Sequence, residues 1–202
     1  MNLPWYVIRG SGIVAFLLLS SSLMWGLMVS TKVFGRAVKA KGLQWLHESL
    51  GLSAVLATLI HLVALTMDEF IGFGWADVLI PGVSEWEPLI ASLGVVAFWT
   101  MVVVSFSFYF KKWLGQNVWR SIHYLSFGTF LAALIHGIFA GTDTSNPWVA
   151  GMYLGSFFLV GFFTFVRVMA ARQPESRQAS RRPRAERTSA APEKEKTSES
   201  AE

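Results

Sequence analysis

All four histidines of this 202-residue chain fall into two spaced pairs. His47 and His61 lie 14 residues apart, in Leu-His47-Glu-Ser-Leu and Leu-Ile-His61-Leu-Val. His123 and His136 lie 13 apart, in Ser-Ile-His123-Tyr and Leu-Ile-His136-Gly. Cysteine is absent from the sequence, which removes disulfides, thiolate haem ligation, iron–sulfur clusters and Cys-based zinc sites together. Only His, Met and carboxylates remain as metal ligands. A pair of neutral imidazoles saturates both axial positions of a haem iron, leaves no open position for oxygen and favours outer-sphere electron transfer.

The elements that must position these side chains are membrane helices. Just over half of the residues are hydrophobic, 53%, which is too apolar for an ordinary soluble domain. Five stretches reach the roughly 20 helical residues that cross a hydrocarbon core: Val7 to Ser30, Leu43 to Met67, Leu89 to Phe110, Ile122 to Ala140 and Val149 to Val168. The expected fold is therefore an all-α membrane protein, a bundle of about five transmembrane helices. The first stretch reads as a retained span rather than a cleaved leader, because no small-residue cleavage site closes it.

Charge orders the bundle. The first connection carries Lys32, Arg36, Lys39 and Lys41 with no acid, and the second carries Asp68, Glu69, Asp77, Glu85 and Glu87 with no base. The third is basic again through Lys111, Lys112 and Arg120, the fourth holds Asp143, and Arg167, Arg172 and Arg177 follow the last span. Under the positive-inside rule the N-terminus lies outside and the C-terminus in the cytoplasm of a bacterial-type cell membrane. The net charge of +4 is thus assigned to a membrane surface and not to nucleic acid.

In this topology the second and fourth spans run the same way, so His47 and His123 share the inner level and His61 and His136 the outer. Fourteen residues are about 21 Å of helix and thirteen about 19.5 Å, so the levels match to within about one residue's rise. Two b-type haems would sit there, one toward each surface. The angular phase matches less well: at about 100° per residue, fourteen residues fall 40° short of four turns and thirteen fall 140° short. A bend or irregularity near Ser126, Gly128 or Thr129 is expected to bring both fourth-span histidines to the second span. Two plainer readings stand beside this one, polar groups hydrogen-bonded between helices and histidines for transition-metal passage.

The chain resembles the ferric reductase-like transmembrane domain, shared with the membrane cores of NADPH oxidases and the haem subunit of bacterial methionine sulfoxide reductase systems. The resemblance rests on Leu-His47-x13-His61, on Trp119-Arg120-Ser-Ile-His123-x12-His136-Gly-Ile-Phe-Ala-Gly-Thr-Asp143 and on Arg9-Gly10-Ser-Gly12, and spans roughly Trp5 to Arg172. It implies a helical bundle holding bis-histidine haems that pass electrons from a cytoplasmic flavin donor to an acceptor at the other face. The sequence departs from members that work alone, since no Gly-rich dinucleotide fingerprint follows any strand pattern. The expectation is an electron-transfer subunit with no FAD or NAD(P) site, fed by a cytoplasmic flavoprotein reductase or membrane quinol. Its acceptor, at the outer side, is not specified by these residues, and a haem-based redox sensor is the other redox reading.

Further residues are assigned around the histidines. Arg9, at the outer end of the first span, is suited to a bidentate clamp on a haem propionate, and Arg120 could serve the inner haem similarly or act as a positive-inside charge. Glu48 could hydrogen-bond the His47 imidazole, although adjacent helical residues diverge. Asp143 reads as an exposed loop acid or an outer relay. Trp5, Trp25, Trp45, Trp86, Trp113, Trp119 and Trp148 read as interfacial belt residues. The segment Phe70 to Pro88 is too short to span and too apolar for a free loop, and is expected to fold back over the outer haem. Residues 1–172 form the membrane domain; 173–202, rich in Arg, Ser, Ala, Pro and Glu, form a disordered cytoplasmic tail.

Overall fold

The computed structural model describes residues 3–31 and 40–172, with side chains in the second part from Gly42 onward. The expected tail, and the basic connection holding Lys32, Arg36, Lys39 and Lys41, lie outside the described residues. Six helices run in the order α1 (Leu3–Ser30), α2 (Ala40–Thr66), α3 (Trp75–Leu79), α4 (Pro88–Ser107), α5 (Lys111–Ala140) and α6 (Pro147–Arg172). All but α3 are long and apolar enough to cross a membrane. No strand occurs among the described residues. In each candidate span only 17 to 28% of the most apolar stretch is buried by protein, so most of that apolar surface faces outward. Such surface is stable only against lipid.

Local chemistry sets the helix ends. Pro88 opens α4, where its missing N–H costs nothing, after Glu87 turns the chain through the left-handed region at φ 40°. Pro147 opens α6 in the same way, and the Asn146 side chain accepts a bond from the Trp148 N–H at 2.9 Å. Gly115 interrupts α5 with φ 76° and ψ 161°, a conformation open essentially to glycine alone. The first turn of α5 is thereby set off from the long segment that carries both histidines.

The closest partners are α1 with α2 and α4 with α5, and contacts of α2 with α4 and of α1 with α5 close a four-helix ring. Helix α6 flanks that ring against α1. One apolar cluster joins α1, α5 and α6 through Phe16, Leu23, Phe130, Leu134, Tyr153 and Val160. A second joins α2, α3 and α4 through Ala54, Val55, Leu62, Val78, Phe98 and Met101. Between α4 and α5 the Thr129 hydroxyl donates to Thr100 at 2.9 Å, deep in the bundle, where an interhelical hydrogen bond is worth about 1 kcal/mol.

The segment between α2 and α4 folds onto the bundle, as its apolar content led us to expect. Asp77 caps α3 by accepting from the Gly74 N–H at 2.8 Å, and Trp99 Nε1 donates to the Leu79 carbonyl at 2.9 Å. Val78 is buried against α2 and α4. Phe73 meets Trp86 edge to face at 5.9 Å.

Candidate haem-ligand sites

The ring of helices brings the four histidines together at two levels. At one, the His47 and His123 rings stand 5.9 Å apart between centroids, at an interplanar angle of 76°. At the other, His61 and His136 line one cavity of about 510 Å³, within the range of small-molecule and cofactor sites. Each level takes one imidazole from α2 and one from α5, in the pairing the spacing anticipates.

Three of the four imidazoles are fixed through Nδ1. His61 Nδ1 donates to the Ile8 carbonyl of α1 at 2.8 Å, His47 Nδ1 to the Ser22 carbonyl of α1 at 3.0 Å, and His136 Nδ1 to the Ile90 carbonyl of α4 at 2.8 Å. A carbonyl can only accept, so Nδ1 carries the proton and the one lone pair left on the ring is at Nε2. That tautomer is the one that binds metal through Nε2, made more basic by the bond behind it. Ser22 completes a clasp, its hydroxyl lying 3.2 Å from the His47 carbonyl oxygen.

His123 is held differently. Its ring stacks on Trp119, one turn earlier on α5, at 5.2 Å and 20°, and Lys111 Nζ lies 4.0 Å from the centre of the Trp119 ring. Trp119 Nε1 is buried without a hydrogen-bond partner among the described residues. An indole N–H left so is costly unless a ligand accepts from it.

No irregular residue lies between His123 and His136, contrary to the expectation placed on Ser126, Gly128 and Thr129; the break in α5 is at Gly115, before both. The two rings need no common face, because His136 turns to α4 while His123 lies along its own helix on Trp119. Glu48 does not hydrogen-bond His47 either. It accepts from Gln44 Nε2 at 2.9 Å, one helical turn away, and Ser22 takes the place intended for it.

Arg9 reaches the outer cavity and is paired there. Its guanidinium forms an ion pair with both carboxylate oxygens of Asp143, in the α5–α6 connection, and lies 3.8 Å over the Trp5 ring. Both charges line the cavity beside His61 and His136. Phe70, Ile71, Phe73 and Val78 line it too, so the α2–α4 segment lies over the outer level. Arg120 is exposed on α5, three residues before His123.

Sequence reasoning missed three features of this site. Trp119 looked like a belt residue, yet its stacking on His123 was legible in the spacing of four on one helix. The pairing of Arg9 with Asp143, across 134 residues, carried no local signal. The carbonyl acceptors are backbone groups and carry none in any sequence.

The donor set fits a group that needs only two protein ligands. Two imidazoles bracketing one ion, with metal–nitrogen bonds of about 2 Å, set their ring centres roughly 6 Å apart, close to the separation of His47 and His123. No cluster of three or more His, Asp or Glu side chains able to hold a bare ion occurs among the described residues. Comparison with family models, curated proteins and solved structures returned no match for this chain.

Proposed function

We propose that this chain is a transmembrane di-haem b-type cytochrome of the ferric reductase-like kind. His47 and His123 hold the inner haem, and His61 and His136 hold the outer. The observation that carries the reading is the pairing of imidazoles from α2 and α5 at two levels, with Nδ1 of three rings donated to backbone carbonyls. A bare ion held by two imidazoles lacks most of its coordination sphere, whereas a porphyrin supplies the four equatorial nitrogens.

The haems, when bound, supply one-electron redox chemistry. The protein's part is to fix the ligands, hold their tautomer and exclude water. Nδ1–carbonyl bonds orient three of the four rings and leave Nε2 as the free lone pair, so little ligand reorganisation would accompany a change of charge at a group held there. The segment carrying α3 lines the outer cavity and shields that level from solvent. Arg9 lies within the outer cavity, where a propionate carboxylate would compete with Asp143 for its guanidinium.

Electrons enter from a separate cytoplasmic flavoprotein or from membrane quinol and leave to an acceptor at the outer side. The N-terminus faces outside and the C-terminus the cytoplasm, following the distribution of Lys and Arg. The test is a reduced-minus-oxidised visible spectrum of the purified protein together with its haem-to-protein ratio. Two haems per chain are expected. A preparation from haem-replete cells that contains none overturns the proposal and leaves metal passage or plain packing as the role of the histidines.

A further inference from the structure

We propose that Gly12, Gly26 and Gly94 are positioning residues for the ligand histidines: each leaves uncovered the carbonyl that fixes an imidazole. This rests on the haem reading above and adds to it a requirement on helices α1 and α4, which carry no ligand.

The three acceptor carbonyls belong to Ile8, Ser22 and Ile90, and a glycine stands four residues after each, at Gly12, Gly26 and Gly94. In a helix, residue i+4 donates its N–H to carbonyl i, and the side chain of that residue lies beside the same oxygen. The oxygen has a second lone pair, which an imidazole can reach only where that side chain is missing. A Cβ placed on Gly12 would stand 3.2 Å from His61 Cε1 and Nδ1. On Gly26 it would stand 3.0 Å from His47 Cε1, and on Gly94 2.6 Å from His136 Cε1. At all three positions the nearest atoms belong to the imidazole ring and not to a neighbouring backbone.

The register supports the same assignment. Gly12 and Gly26 are 14 residues apart on α1, the separation of His61 and His47 on the antiparallel α2. Helix α4 offers only one such position. Thirteen or fourteen residues beyond Gly94 stand Ser107 and Phe108, and His123 is the ring that rests on Trp119 instead. Glycine is present where an Nδ1–carbonyl bond forms and absent where it does not.

The test uses the full chain purified with its haem, carrying Gly12→Ala, Gly94→Ala or Gly128→Ala. Gly128 lies on α5 between the two histidines, and a Cβ there meets nothing within 4 Å. Haem-to-protein ratio, visible spectrum and the midpoint potential of each centre are read. Gly94→Ala displaces His136 and is expected to lose the outer haem, lowering the ratio from two to one. Gly12→Ala, with its milder approach, is expected to keep the outer haem but raise its potential, because a weaker Nδ1 bond leaves a less basic ligand and a less stabilised ferric state. Gly128→Ala is expected to match the unsubstituted protein. Should Gly94→Ala fail to accumulate, the potential of Gly12→Ala decides. If Gly12→Ala and Gly94→Ala both keep the ratio and potentials of the unsubstituted protein, the inference is overturned while the haem reading stands; an unsubstituted protein without haem overturns both.

Discussion

Each level rests on two imidazoles and loses its pair with either one, so the sharpest predictions concern single side chains. His61→Ala or His136→Ala should remove one haem and leave the inner centre's spectrum, whereas His47→Ala or His123→Ala should do the reverse. Loss of the wrong centre would contradict the assignment of levels. Arg9 and Asp143 form a partly buried, doubly bonded ion pair, with side chains 29% and 20% exposed. Removing one partner strands the other charge, and Arg9→Gln or Asp143→Asn should each cost about 1–3 kcal/mol. Thermal unfolding in detergent measures this, and a double-mutant cycle should show coupling between the two. At this scale the sequence told much about which rings come together and little about what holds them. Histidine type and spacing picked out all four rings, but Ile8, Ser22 and Ile90 serve through main-chain oxygen, and any residue supplies that. Glu48 failed as a second partner for a simple reason. It leaves α2 in a different direction from His47 and finds Gln44 one turn away.

Among the elements, α5 is the one with an internal weak point. Gly115 has open space around its Cβ position, so a side chain there meets no clash, only an unfavourable backbone at φ 76°. Gly115→Ala should therefore cost about 1–3 kcal/mol through backbone strain alone, read as a lowered unfolding temperature with the haem spectrum unchanged. Phe130, 2% exposed, lies at the centre of the contacts among α1, α5 and α6. In lipid the transfer term for an apolar side chain largely cancels, leaving dispersion and cavity costs. Phe130→Ala should thus cost less than the roughly 3–5 kcal/mol usual in water-soluble cores, as judged by the same unfolding measurement. The five spans were legible from hydropathy because length and apolar content alone define them. Most ends fell within a few residues, Ser30 and Ala140 at the expected position, but the start of α5 at Lys111 lies well before the expected Ile122, because the polar turn around Gly115 lowers the local hydropathy without ending the helix. The expected irregularity between His123 and His136 came from assuming that both rings share one helical face, and the structure uses two faces instead.

On the scale of the whole molecule, the absence of cysteine makes orientation simple to measure. Single substitutions Glu85→Cys and Lys112→Cys place a thiol in an acidic and a basic connection on an otherwise thiol-free chain. With a membrane-impermeant maleimide, the first should label in intact cells and the second only after permeabilisation; the opposite pattern would invert the topology. The architecture also resolves into two tight helical hairpins, α1 with α2 and α4 with α5, which meet each other through fewer contacts. Every histidine pair draws one ring from each hairpin. Whatever bridges a pair is therefore a rivet between two halves of the protein, and loading and tertiary assembly become one equilibrium. On the proposed haem reading, a cell short of the pigment would hold these halves by their apolar clusters alone, and the chain's abundance would follow haem supply without any dedicated regulator.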